Sequence, residues 1–408
     1  MKLKIVRYIV GLLFSILLAP GGVSVGFAKG IQGITQDTIK IGSIADQTGS
    51  AAIMFRMIAK GHRNYFRYIN DQGGINGRKI KYLLEDDHYQ IPETLACFKK
   101  LMFKDRVFTF MGGGSTAAVL MLKKRAEKHR VPYLATTTAE AVVIPPARYM
   151  FNLGATYEDE IRVIFHYLVN VLRTKDLRLG IVHLDTKHGK VGLREAKRQA
   201  RLYDVELVEN QILSMRAMEA NSQVLNMRRK NVNCVIIHHV SNSGAVFIRD
   251  AIKYNYHPDV IGTKWMCTDD LIRMTGKALE NFAVDALYSS WYDETPGCAE
   301  MRDVTLGYYP GKEKSYSVRT YTMGWTDATI VAEGLKRAGK HLTQEGLVQA
   351  MESMENFDTR GLCGPVTFGH NDRKATEYCR IYKPDFLKGI FIPFTDWLKP
   401  GLQKTSFN

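Results

Sequence analysis

Apolar residues recur along this chain in two alternating rhythms. A short run, IKIGSI (39–44), gives way to a stripe at helical spacing over 51–71 that stops at Gly73-Gly74. The next run, KIKYLLED (79–86), leads to a helical pattern over 92–104 opened by Pro92. A strand at 107–111, a helix at 116–129 and a strand at 132–135 follow. Strand then helix, repeated, predicts a parallel sheet with helices on both faces, because each return to the sheet needs a crossover.

The rhythm restarts near residue 155. A helix at 158–172 precedes LRLGIVHLD (177–185), then a helix at 190–203, VELVENQI (205–212) and a helix at 219–230. NCVIIHH (233–239), a helix at 243–255 and DVIGT (259–263) complete this set. The chain returns through AVDALYSSWY (283–292), a helix ending near Gly339, another at 343–354 and a C-terminal hairpin. The fold class expected is α/β, with two Rossmann-like lobes crossed several times by the chain. Ligands of open parallel sheets bind beyond the carboxyl ends of the strands, which here places a site in the cleft between lobes.

The first thirty residues break the pattern. Lys2, Lys4 and Arg7 precede an apolar stretch from Tyr8 to Ala19, then small residues with a cleavage point at Gly26-Phe27-Ala28. That is the pattern of a secretory signal peptide over 1–28; the other reading is an uncleaved anchor. No cysteine precedes Cys97, which excludes a lipid-modified N-terminal cysteine. A periplasmic, monomeric protein is expected. Export also changes how charge is read. The formal charge of +15 loses three with the signal peptide and becomes +12. In a cytoplasmic protein that would suggest nucleic acid; an exported one rarely meets any. The runs KKRAEKHR (123–130), REAKRQAR (194–201) and RRK (228–230) read as solvated helix faces that favour encounter with anionic ligands or a membrane surface.

Six cysteines in an oxidising compartment invite disulfides. GLCGPVTFGHNDRKATEYCRIYK reads as two strands around a turn near Gly369–Arg373. Cys363 and Cys379 stand equidistant from Asn371, so a cross-strand bridge is expected between them, with Cys267–Cys298 a weaker second pair. Cys234 reads as a buried thiol, and Cys97 falls on a helix. None of the spacings is a zinc signature.

Three βα loops carry the candidate chemistry. MGGGST (111–116) ends a strand in glycines and opens a helix at Ser115 and Thr116. It has neither the lysine of a phosphate loop nor the glycine spacing and acid of a dinucleotide site. What remains is a helix start with free N–H donors and two hydroxyls, suited to a carboxylate, or plain capping. ADQTGS (45–50), with Gln47 and Thr48, and ATTTAE (135–140), with Thr137, Thr138 and Ala139, converge on the same sheet edge. EDDHYQ (85–90) reads as a strand end and helix cap. His183, His188, His238 and His239 form no metalloprotease pattern. No metal, cofactor or catalytic triad is expected.

These residues resemble the leucine/isoleucine/valine-binding type of periplasmic solute-binding proteins serving ABC importers. The likeness runs from about Thr35 to Lys383 through IKIGSIADQTGSAA, NDQGGINGRKIKYLLEDD, MGGGSTAAVL, KHRVPYLATTTAE, FNLGATYEDE and PDVIGTKWMCTDDL. The resemblance implies a type I periplasmic binding protein: two lobes, a three-strand hinge, no catalysis, and closure over a small ligand passed to permease and ATPase subunits. Lobe 1 would comprise 29–154 with 289–368, and lobe 2 would comprise 155–288 with 369–408. Thr116, with Ser115 beside it, falls at the family's carboxylate-binding hydroxyl. Thr137, Thr138 and Ala139 fall at the next loop's contacts, and His188 at the second-lobe aromatic. His239 and Trp265 join the ligand-facing set. Lys264 falls where the family has the acid for the ligand's ammonium, and a lysine accepts no hydrogen bond from one. The leading expectation is a branched-chain or other hydrophobic amino acid. The alternatives are an aromatic or aliphatic organic acid, a sensing module, or an enzyme on the same scaffold.

Overall fold

The computed structural model describes residues 30–136 and 139–401; the expected signal peptide, 1–28, lies outside the described residues. In chain order the elements are β1 (Thr38–Ile44), α1 (Ala52–Asp71), β2 (Lys79–Glu85), α2 (Ile91–Lys99), β3 (Thr109–Gly112), α3 (Thr116–His129), β4 (Tyr133–Ala135) and β5 (Met150–Asn152). Then come α4 (Tyr157–His166), β6 (Arg178–His183), α5 (Lys187–Tyr203), β7 (Glu206–Ile212), α6 (Asn221–Arg229), β8 (Cys234–His238), α7 (Ser241–Lys253) and β9 (Asp259–Gly262). The chain ends with α8 (Asp269–Thr275), β10 (Phe282–Ala286), α9 (Pro296–Tyr308), α10 (Glu313–Tyr316), α11 (Arg319–Arg337), α12 (Gln344–Glu352), β11 (Arg380–Asp385) and β12 (Ile390–Pro393).

Two sheets result. The first runs β2-β1-β3-β4-β5, parallel throughout. The second runs β12-β11-β10-β9-β8-β6-β7, parallel except where β11 pairs antiparallel with β10 and β12. In both, the order doubles back around the first strand of the unit. That reversal opens a crevice at the strands' carboxyl ends. This is the two-sheet α/β arrangement the βα rhythm predicts.

The central strands are buried on both faces, so they read as continuous apolar runs rather than alternations: Cys234 to His238 is buried at every position. Helices α1 and α11 cover the first sheet at unusually close range. A Cβ on Gly61 would meet the backbone of Tyr321 and Trp325, and one on Gly324 would meet the Ile58 backbone. Any side chain at either glycine would force the two helices apart.

The C-terminal hairpin differs from expectation. The predicted turn exists, with Gly369 and Asp372 exchanging backbone hydrogen bonds and Thr367 N–H reaching Ala375. Beyond that the arms diverge. Cys363 bridges to Tyr288 and Cys379 to Leu398, and the regular hairpin is β11–β12. The expected Cys363–Cys379 disulfide is therefore not formed: all six cysteines are free and buried, Cys267 and Cys298 included. Equal distance from a turn centre brings two residues together only if the ladder continues to them. Here each arm pairs with another segment instead.

Candidate functional site

The loops after β1, β3 and β4 are organised by their own acids and hydroxyls. Asp46, fully buried, accepts N–H bonds from Thr48 (3.2 Å), Gly49 (2.5 Å) and Ala51 (2.7 Å). Gln47 N–H and the Thr48 hydroxyl both donate to Asp86, at 2.8 and 2.6 Å. Ser115 caps α3, its Oγ accepting Ala118 N–H at 3.2 Å, which is the local capping role its position suggests. Thr116 follows in the first turn and is 6% exposed. In the β4 loop, Thr136 donates to Asp327 on α11 at 2.7 Å, and Tyr288 donates to the same carboxyl at 3.1 Å. Thr137 and Thr138 lie outside the described residues. Ala139 is buried in a small cluster with Tyr157 and Val191, so the β4 loop touches α4 and α5 directly.

Across from these loops stands a wall built on α4, α5 and the turn after β9, centred on Tyr157. This residue opens α4 behind Thr156, whose hydroxyl accepts Asp159 N–H while the Asp159 carboxylate accepts Thr156 N–H. Burial pushes the Tyr157 phenol up to about 12, opposed by the neighbouring Thr116 and Trp265 side chains. His188 meets the Tyr157 ring edge-on at 4.5 Å and stacks on His238 at 4.0 Å. Burial lowers both histidines, His238 to about 3, so both rings are neutral at physiological pH. His238 is held by Thr263 (3.1 Å) and the His188 carbonyl (3.2 Å).

Lys264 is buried at 7% exposure, with Nζ 4.1 Å over the Tyr157 ring and 5.2 Å from that of Trp265. Its ammonium pairs with Glu160, which also accepts the Lys264 N–H at 3.1 Å. Burial, opposed by Lys264, raises the Glu160 carboxyl. Asp285, on neighbouring β10, is raised well above the usual carboxylate range by burial and then by Glu160. Lys264 is thus one half of a buried ion pair rather than an isolated cation.

A second ionic cluster ties the β4 loop to the wall. Arg162 binds both Glu140 oxygens (3.0 and 2.9 Å), Asp159 (3.0 Å) and Glu195 (2.8 Å). Lys374 reaches Asp159 at 2.8 Å. Glu158 accepts Glu140 N–H at 2.9 Å and pairs with Arg194 at 3.0 Å; burial lifts it to about 7.

Of the residues singled out from the sequence, Thr116, Ala139, His188, Lys264 and Trp265 gather around Tyr157. Ser115 adjoins them as a cap. Gln47 and Thr48 are committed to Asp86. His239 points elsewhere: Nε2 faces the Leu213 carbonyl at 3.0 Å and Nδ1 accepts Val240 N–H at 2.9 Å. Adjacent strand residues face opposite sides, and it is His238 that joins the group. Sequence reasoning also passed over Tyr157, Glu160 and Thr136. The first two lie in GATYEDE, whose acids read as ordinary favourable charges at a helix start; only burial reveals their other role. Among the described residues no cluster of His, Cys, Asp or Glu is arranged to hold a metal.

The family model described as periplasmic binding protein matches residues 38–388. The Leu/Ile/Val-binding protein homolog 8 of Brucella melitensis is 23% identical over 82% of this chain and 85% of its own length. A branched-chain amino acid ABC transporter protein from Thermus thermophilus, solved with bound valine, superposes with a TM-score of 0.82 at 20% identity, covering 90% of this chain and 97% of that one. A fatty acid ABC transporter substrate-binding protein from Thermomonospora curvata gives 0.79 at 22% identity, covering 91% and 95%. These relatives are substrate-binding transport proteins, not enzymes. A two-sheet α/β frame with a polar crevice, matched over most of its length by such proteins, places this chain in the periplasmic binding protein family.

Proposed function

We propose that this protein is the solute-binding component of an ABC importer and captures a small carboxylic acid whose body carries no ammonium group. The reading puts residues 29–154 with 289–368 in one lobe and 155–288 with 369–408 in the other, closing over the ligand before delivery to the permease and ATPase subunits. Thr116 and the N–H groups opening α3 take the carboxylate; Tyr157, His188 and Trp265 cover the body. The family is periplasmic, and no helix among the described residues is long and apolar enough to cross a membrane.

The observation that carries the ligand class is the Lys264–Glu160 pair. A buried ammonium needs an acceptor of its own. The Glu160 oxygens already take the Lys264 ammonium and N–H, and the surrounding rings are neutral. An uncharged aromatic or aliphatic body asks for nothing that this wall lacks.

The test is thermal unfolding in the presence of leucine, isoleucine, valine, hydroxybenzoates, phenylacetate and medium-chain fatty acids. A ligand at ~100 Kd stabilises its protein by about 2.7 kcal/mol. Stabilisation by one of the acids, with the three amino acids inert, is the expected result. Stabilisation by the amino acids alone overturns this ligand class and restores the branched-chain reading. Ligand recovered chemically unchanged after long incubation distinguishes capture from turnover.

A further inference from the structure

The hairpin β11–β12 forms the edge of the second sheet and turns through an apolar tip held in fixed geometry. Asp385 Oδ1 accepts N–H bonds from Leu387 and Lys388, both at 3.0 Å, and Gly389 N–H returns to the Asp385 carbonyl at 2.8 Å. Gly389 takes the left-handed φ of +67° that this turn requires. The turn therefore presents its side chains outward by construction. Leu387 is 100% exposed and Phe386 43%. On β12 Ile392 is 38% exposed, and Phe394, just past its end, is 50% exposed. Lys383 stands across from Ile392 with Nζ 3.9 Å over the Phe394 ring, and Lys388 flanks the tip.

Solvent-facing apolar groups gathered at one place mark a contact surface. Strand addition by a second copy does not fit it. β12 is the sheet's edge, yet Phe391 N–H is taken by Asp269 at 3.0 Å and Pro393 has no N–H to offer. Nor is the tip a groove for a peptide: Leu387 projects beyond its neighbours. A protruding leucine and aromatics stand beside Lys383 and Lys388, while Asp385 is turned into the tip's own N–H groups and Asp396 lies near Arg380. On a chain whose formal charge is +12 once the expected signal peptide is gone, they match a soft, anionic interface in which apolar groups sink between headgroups and ammonium groups stay at their level.

We propose that the β11–β12 hairpin docks this protein on an anionic phospholipid surface. Such a contact would hold the protein near the membrane and would be weak and salt-sensitive.

The test is co-sedimentation of the exported protein with vesicles of phosphatidylcholine alone and of phosphatidylcholine mixed with phosphatidylglycerol. Binding to the anionic vesicles is expected, weakened by salt and reduced about tenfold or more by Leu387→Asp. The paired change Lys383→Gln with Lys388→Gln should reduce it less. Unchanged melting temperature in each variant shows that the fold is intact. Absence of binding by the wild type, or equal binding by Leu387→Asp, overturns the proposal. So does binding only to vesicles that carry transport subunits, which makes the partner a protein. Self-association abolished by Leu387→Asp, without vesicle binding, makes it a second copy.

Discussion

The loops after β1 and β3 and the wall that faces them are put together by largely different means. In those loops the backbone finds partners close by in sequence: Ser115 caps Ala118, and Asp46 gathers the N–H groups of residues 48, 49 and 51, while side chains such as Thr48 and, in the β4 loop, Thr136 reach farther, to Asp86 and Asp327. In the wall, Glu160 meets Lys264, and Arg162 joins Glu140 to Glu195. Local partners make a loop that keeps its shape when a neighbour changes. Distant, buried, charged partners make a wall whose shape depends on every member, because an ion left alone there has no water to fall back on.

The sharpest way to break this contrast is Glu160→Ala. It strands the Lys264 ammonium in a buried site and should destabilise the protein by about 3–5 kcal/mol in denaturant unfolding. Adding Lys264→Met should restore most of that loss. If the single variant costs under ~1 kcal/mol, the pair behaves as a surface one and the contrast fails.

Glu158 sharpens the comparison through pH. Burial raises its folded value to about 7 from an ordinary 4.5, so the folded state keeps a proton that the unfolded chain releases. The sign follows from linkage: the stability tied to this proton is full below pH 4.5 and is lost as pH rises to about 7, up to about 3 kcal/mol in all. Unfolding measured across pH 4 to 8 should show that decline, and Glu158→Gln should flatten it. A decline of equal slope in the variant assigns the proton elsewhere.

The smallest effects separate two neighbours in one loop. Ser115→Ala removes a cap and should lower stability by about 1 kcal/mol while leaving ligand affinity nearly unchanged. Thr116→Val should do the reverse, weakening carboxylate binding by about tenfold with little change in the melting temperature. Equal affinity in Thr116→Val would take that hydroxyl out of the site.

The sequence by itself determined the βα rhythm, the two mostly parallel sheets and the capping of α3. All of these follow from periodicity and short-range hydrogen bonding, which a linear pattern records. Tertiary structure alone decided the rest. It turned His238 rather than His239 toward the cleft and sent Thr136 into Asp327. It also gave Cys363 and Cys379 different partners. Above all it supplied Lys264 with Glu160 from the far end of the same half. A charge written in the sequence says nothing of its neighbours until folding removes the water, and then the neighbour decides whether it repels a ligand or falls silent in a pair.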